Sequence, residues 1–470
     1  MHLKKVILRN FRCFNRLELD IHPRLTVLVA ENGGGKTAVL DGIAVGLSPI
    51  LSYLSSASQR LTGTGISDTD FRVEKVNKND WVQQSDFAQV EMVSTEGLHW
   101  DNWKPSAKGK HPHKSIGQKD LNDFTSEIMG SFKSSKPEPL PVFSYYGAKR
   151  GWLPIPQRLR GSKIDYTQPT SALVGTLKPL NDFKEMLNWF DIEEANELRA
   201  NKGCLPEDFE ASEALTAVRD ALVKILGGTY KNPHFNRQHK FVVDTEDEPG
   251  QLQVSQLSQG YQSMLALGMD FARRQALANK HLSYEEILKL PSFELFMEKF
   301  WKYDRNDFVP DFASAVNMVP AIMLVDEIDL HLHPSWQQRV LSDLMRAFPC
   351  TQFIVTTHSP QVLTTLRKEN IRILGCDTDG NWQAREPDIS PLAHESGDAL
   401  ASIMDTHPKP ELSKITDYIH VYEQIVRAGQ IDSEKAAEIR DWLDRAGYEF
   451  NTADQALFQH FMRKAEKAGE

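Results

Sequence analysis

Eight consecutive residues near the start, Ala30-Glu31-Asn32-Gly33-Gly34-Gly35-Lys36-Thr37, have the types and spacing that hold a chain of phosphates. In such a Walker A loop successive backbone N–H groups point at phosphate oxygens, and side chains beyond the α-carbon would block the approach. Asn32 through Gly35 would form the cradle, Lys36 would meet the β and γ phosphates, and Thr37 would hold Mg²⁺. The usual pattern, GxxxxGK[ST], begins with glycine where this chain has Ala30. Three consecutive glycines keep the backbone permissive, so Ala30 is expected only to tighten the entry to the turn.

Further along, Ile322-Met323-Leu324-Val325-Asp326-Glu327 is an apolar run that ends on two carboxylates. Asp326 has the place of a residue that binds the Mg²⁺ hydration shell, and Glu327 that of a general base polarising an attacking water. Thr356-Thr357-His358-Ser359 ends another apolar run and offers His358 as a sensor of the γ phosphate. Leu257-Ser258-Gln259-Gly260 precedes a helical pattern, and a serine hydroxyl, a glycine N–H and a helix N-terminus together make an anion site.

These motifs, in this order, carry a family resemblance. Leu257 to Gly260 matches LSxG, the signature of ATP-binding-cassette (ABC) ATPases, where it acts in trans on the nucleotide held by the opposite subunit. The head resembles the RecF/SMC/Rad50 branch, with a strand pair from Leu3 to Leu19 carrying Asn10-Phe11-Arg12, and Asn32-Gly33 in the phosphate loop. Asp326-Glu327-Ile328-Asp329-Leu330-His331-Leu332-His333-Pro334 and Thr357-His358-Ser359-Pro360-Gln361-Val362-Leu363 are more particular. They are similar to the single-chain AAA-type ATPases of bacterial anti-phage systems: the OLD nucleases, the Septu ATPase PtuA and its retron-associated relatives.

The resemblance implies ATP and Mg²⁺ as cofactors, and a homodimer or higher homo-oligomer formed through the ATPase heads. It also assigns Asp329 through His333 to the D-loop along the dimer contact; without it, Glu327, Asp329, His331 and His333 alternate as metal ligands could. OLD nucleases carry a Toprim nuclease domain after the ATPase. Here the residues after His358 follow a mainly helical pattern, and Asp377-Thr378-Asp379 lies in a turn without a partner glutamate strand. The tail is therefore more like PtuA, which works beside a separate HNH nuclease, PtuB. The expected function is an ATP-hydrolysing regulatory subunit of an anti-phage complex, gating such a nuclease. The alternatives are a RecF-like DNA-repair ATPase and a self-sufficient OLD-type nuclease.

Period and composition predict the elements that must position these residues. Val6, Leu8, Leu17 and Leu19 alternate as in two paired strands, and Leu25–Val29 is a continuous β-prone run, as in a strand buried on both faces. Gln89–Val93 and Leu140–Tyr146 have the pattern of edge strands; Ala321–Asp326 and Gln352–Thr356 that of buried ones. Leu180, Phe183, Leu187 and Phe190, then Leu215, Val218, Leu222 and Ile225, recur at helical spacing. The fold class is α/β: an ABC ATPase head with a mixed central sheet, flanking helices and an antiparallel β subdomain. Residues 1–165 form its first lobe and 166–244 a helical lid insertion. Residues 245–395 form the second lobe, with an insertion at 280–318 carrying Phe293, Phe296, Phe300, Trp301 and Tyr303. Residues 396–470 form a helical region for partner or oligomer contact, with Ile415, Tyr418, Ile419, Tyr422, Ile425 and Val426 on one face and a last helix from Thr452, where Gln455 three residues on completes a capping box.

Composition limits the partners. With 54 basic and 64 acidic residues among 470, the net charge is −10, so the chain does not coat nucleic acid as a polycation. Contact with retron RNA or DNA, or with target DNA, would fall to the basic stretches 104–119 and 149–163, the latter with Lys149, Arg150, Arg158, Arg160 and Lys163. No run of about 18 apolar residues exists, so no membrane span is expected. The 4 cysteines are scattered without a CxxC, as for free thiols in a cytoplasmic protein.

Overall fold

The computed structural model describes the chain apart from residues 57–58, 76–81, 108, 110–113, 133, 135, 152–163, 180–182, 247–249, 300–311, 406–412, 432 and 450–470. Its central sheet has six strands in the order β15-β14-β3-β13-β12-β8. These are β3 (Leu25–Val29), β8 (Val142–Tyr146), β12 (Ala321–Val325), β13 (Thr351–Thr356), β14 (Ile371–Cys376) and β15 (Trp382–Arg385). All pairings are parallel except that of β15 with β14. Every residue of β3, β8, β12 and β13 is buried, which is why these segments are apolar without alternation. β14 and β15 are strands within the mainly helical stretch after His358 that the sequence did not announce: their four to six residues are too few to show a period, and the sheet recruits them as its far edge.

A second sheet, antiparallel, has the order β2-β1-β6-β7, formed by β1 (Leu3–Phe11), β2 (Phe14–Asp20), β6 (Phe87–Ser94) and β7 (His99–Pro105). Val6 faces Leu19 and Leu8 faces Leu17, the pairing their alternation implied. The expected edge strand at 89–93 is an interior one. Its polar residues look solvent-facing in sequence, yet Gln89 is buried and donates to Asp101 Oδ2 (2.8 Å), while Glu91 meets Arg9 (3.3 Å) and His99 (2.8 Å). A ribbon of β4 (Val73–Lys75) and β5 (Val82–Gln84) lies in the same lobe.

Between the sheets runs α1 (Lys36–Leu54), started by Gly35 in the left-handed conformation. By length and composition α1 could cross a membrane, but most of it is buried inside the protein. α2 (Gln118–Ser131) packs beside it.

In segment 166–244, α3 (Phe183–Ala200) and α4 (Glu213–Leu226) precede a small sheet of β9 (Tyr230–Phe235), β10 (Phe241–Thr245) and β11 (Gln251–Gln253). The α4 stripe Leu215, Val218, Leu222 and Ile225 is wholly buried in the main core, where Ile225 packs on α5 (Gln259–Asn279) against Gly268. α6 (Tyr284–Leu288) and α7 (Pro291–Lys299) follow, and Phe293 joins Leu282, Ile287, Met318, Val319 and Cys350 in a small core of their own. Phe300, Trp301, Tyr303 and the side chain of Phe296 lie outside the described residues. Short helices α8 (Pro334–Gln337), α9 (Val340–Ala347), α10 (Pro360–Leu363) and α11 (Ser396–Ile403) complete the first compact unit, Met1–Met404. Ala399 and Ile403 of α11 are buried in its core.

The second unit, Asp405–Glu470, contains α12 (Ser413–Arg427) and α13 (Glu434–Arg445). Ile419, Tyr422 and Val426 pack with Ala436, Ile439 and Leu443, which accounts for the apolar face read in the tail. The expected helix from Thr452 lies outside the described residues.

Candidate functional site

The carboxyl ends of β3, β13 and β12 lie side by side, the location at which open α/β sheets bind ligands. The glycine loop leaves β3 and enters α1 there. Asn32 and Gly33 are exposed, while Gly33 and Gly35 take positive φ values of 80° and 83°. A methyl on Gly34 would come within 2.6 Å of the Ala30 Cβ and 3.0 Å of the Glu31 carbonyl. Ala30 therefore fits at the head of the loop because position 34 carries no side chain. Lys36 is 8% exposed and folds along the loop, donating to the Ala30 carbonyl (2.8 Å) and the Glu31 carbonyl (3.1 Å). Burial draws its pKa down, against the pull of the Asp326, Glu327 and Asp329 carboxylates.

Asp326 follows β12 and is held on both oxygens. Thr37 Oγ1 donates to Oδ2 (2.9 Å) and Thr356 Oγ1 donates to Oδ1 (2.7 Å). β13 lies between β3 and β12, so its last residue, Thr356, is the natural bridge. The same hydroxyl accepts from the Glu327 N–H (2.7 Å). Glu327 is half-buried with φ at 50°, a left-handed conformation that costs a non-glycine residue on the order of 1–3 kcal/mol unless its surroundings fix it. His358 is half-buried one residue beyond Thr357. Asp329 accepts from Thr357 Oγ1 (2.5 Å) and the His358 N–H (3.4 Å), which ties the segment after Asp326 to the one after β13.

Ser258 is the N-cap of α5, and its exposed hydroxyl does not bond to the helix it heads. Leu257 anchors the turn in the core, whereas Gln259 is exposed. Gly260 is buried against the segment that begins at Asp329: a Cβ there would sit 2.6 Å from the His331 carbonyl. His331 and His333 are exposed, and no cluster of three or more His, Cys, Asp or Glu ligands occurs among the described residues.

A family profile described as "AAA domain" matches residues 5–226, and one described as "AAA domain, putative AbiEii toxin, Type IV TA system" matches residues 250–364. The Retron Vc95 probable ATPase of Vibrio cholerae serotype O1 biovar El Tor is 24% identical over 495 residues, spanning 94% of this chain and 86% of that protein. The Retron Ec83 probable ATPase of Escherichia coli is 25% identical over 522 residues, spanning 98% and 86%. The Septu protein PtuA of Bacillus mycoides (strain KBAB4) is 23% identical over 379 residues, spanning 79% of this chain and 40% of its own. The chain is an ATPase, similar along most of its length to the probable ATPases of two retrons and, over a shorter span, to a Septu protein.

Some residues around this candidate site escape a reading by motif. Arg12, with φ at 51°, bonds Asp41 of α1 (2.5 Å) and Asp70 (2.8 Å), bracing the helix that carries Lys36 and Thr37. Asp41 also accepts from the buried Tyr145 hydroxyl, whose pKa is pushed up by burial and by the Asp41 and Asp326 charges. Arg150 is the larger surprise. Counted in sequence with a basic stretch that could meet nucleic acid, it is 6% exposed and lies beneath Asp326 and Glu327. Lys104, from the other basic stretch, bonds Asp68 (2.9 Å) and lies over the Phe71 ring. Arg158, Arg160 and Lys163 lie outside the described residues. Nothing in the sequence marks Arg150 as interior, because it sits between Lys149 and Gly151 in a run of basic residues.

Proposed function

We propose that this ATPase is the nucleotide-switched subunit of an anti-phage complex, in which two heads close over shared nucleotides and thereby gate a separate HNH-type nuclease. The observation that carries the proposal is Ser258: an exposed hydroxyl at the head of a 21-residue helix, not engaged by that helix and free to meet a phosphate held elsewhere. The relatives named as retron ATPases and as PtuA support the anti-phage setting, and the likeness to PtuA points to the nuclease.

Lys36 and the loop amides of Asn32 to Gly35 bind the phosphates, Glu327 withdraws the proton of the attacking water, and His358 contacts the γ phosphate. Ser258, with the Gln259 and Gly260 backbone, completes the site from the opposite head. The Thr37 hydroxyl and Asp326 carboxylate are hard oxygen donors 2.9 Å apart, a set that suits Mg²⁺ with its remaining positions left to phosphate and water. Bound there, Mg²⁺ would neutralise charge on the phosphates. A difference of a few kcal/mol in binding between open and closed heads is enough to move a gating equilibrium.

Mixing two inactive variants tests the arrangement. Ser258→Arg should abolish turnover with the phosphate loop intact, and adding Lys36→Ala protein should restore part of it, since one composite site then has both halves. No rescue at any ratio would reject sharing between heads. An HNH nuclease encoded beside this ATPase should co-purify with it and change activity with nucleotide; a nuclease indifferent to both would reject gating.

A further inference from the structure

Arg150 lies four residues beyond Tyr146, the last residue of β8, and turns back under β12. Its Nη1 donates to the Asp326 carbonyl and its Nη2 to the Glu327 carbonyl (2.5 Å), with a longer contact from Nη1 to the Gly147 carbonyl (3.4 Å). No carboxylate pairs with it within salt-bridge distance among the described residues. Burial pulls its pKa down to about 10, against the Asp326, Asp329 and Glu327 charges, so the group stays cationic at neutral pH. A buried cation bonded to backbone carbonyls does not serve as one half of an ion pair. Its two donors are fitted to one peptide turn, the fixed fork that distinguishes guanidinium from ammonium.

That turn is the one that presents Glu327. The Thr356 hydroxyl holds the Glu327 N–H (2.7 Å) and Arg150 holds its carbonyl (2.5 Å), so the left-handed Glu327 is gripped at both ends. We infer that Arg150 is a positioning residue for ATP hydrolysis, fixing the Asp326–Glu327 carbonyls so that the Glu327 carboxylate faces the nucleotide. The inference rests on Glu327 acting as the general base. With its Nη donors on backbone carbonyls, Arg150 acts through the aim of another side chain.

The full-length protein tests this through steady-state kcat and KM, affinity for a fluorescent ATP analogue, and thermal melting. Arg150→Met should lower kcat about 30- to 100-fold while nucleotide affinity stays within about threefold, because the phosphate loop is untouched. Arg150→Lys should recover turnover only in part but remain clearly above Arg150→Met, since an ammonium can donate to these carbonyls but lacks the fork that fits both. In a Glu327→Gln background Arg150→Met should add less than about threefold, as expected for residues acting through one step. Turnover by Arg150→Met at the original rate, while Glu327→Gln is dead, would overturn the inference alone. So would a lysine variant no better than methionine, or a loss that multiplies in full on top of Glu327→Gln. Normal hydrolysis by Glu327→Gln would instead overturn the general-base assignment. If Arg150→Met does not fold, Arg150→Lys in the two backgrounds decides: an equal fold-loss in both overturns the inference.

Discussion

Thr37 donates a 2.9 Å hydrogen bond to Asp326 although 289 positions separate them in the chain. One residue is the second of the helix after β3, and the other follows β12 directly. The bond brings together the two side chains that would hold Mg²⁺ in the proposed function, with Thr356 on the remaining Asp326 oxygen at 2.7 Å.

Asp326→Asn separates charge from shape at this point. The amide fills the same space and the two threonine hydroxyls can reverse a bond, so melting should move by only a few degrees. Losing the carboxylate should lower turnover by about 100-fold or more and make nucleotide affinity indifferent to a Mg²⁺ titration. Retained Mg²⁺-dependent turnover would remove Asp326 from the metal site.

The departure at Ala30 makes a prediction of its own. Gly34→Ala places a methyl 2.6 Å from the Ala30 Cβ, and the phosphate loop must distort. Nucleotide affinity should fall about tenfold or more. Ala30→Gly in the same chain should recover part of it, because the 3.0 Å contact with the Glu31 carbonyl remains. Equal affinity in the single and double variants would show that the Ala30 methyl does not matter.

The buried carboxylate of Asp270 on α5 should leave a mark on acid stability. Burial alone would raise its pKa, but Arg274 (2.7 Å) and Arg273 (2.6 Å) overcome that and hold it at about 2, below the ordinary 3.8. A carboxylate depressed on folding contributes stability that is complete above its unfolded value. That contribution is then lost as the pH falls from about 4 toward about 2. Asp270→Asn leaves two buried guanidinium groups without their partner and should cost about 3–5 kcal/mol at neutral pH. The variant should also lack this acid-dependent step in melting temperature measured against pH. A step of unchanged size in the variant would assign it to other groups.

Much of this site is legible in sequence because the phosphate loop works through backbone geometry and a few fixed side chains. Glycines at 33 to 35, Lys36 and Thr37 need only a strand before and a helix after, and the apolar run Leu25–Val29 announces the strand. The carboxylates Asp326 and Glu327 are legible for the same reason, at the end of a run buried on both faces. Gln89 and Glu91 misled the reading of β6 because alternation reports polarity, and polarity is not exposure when Asp101, Arg9 and His99 stand opposite. β14 and β15 were missed because a short strand at a sheet's far side has no period of its own.

By itself the sequence determined the chemistry of each motif: which loop can hold phosphates, which carboxylates follow buried strands, and which serine heads a helix. The tertiary structure alone decided how they meet. The order of strands puts Thr356 between Thr37 and Asp326, the bare α-carbon of Gly34 admits Ala30, and Arg150 moves from a basic stretch of sequence to the underside of Glu327. The physical reason is that backbone requirements are local and written in residue types. The partners of a buried charge are set by which strands lie side by side, and no nearby residue records that.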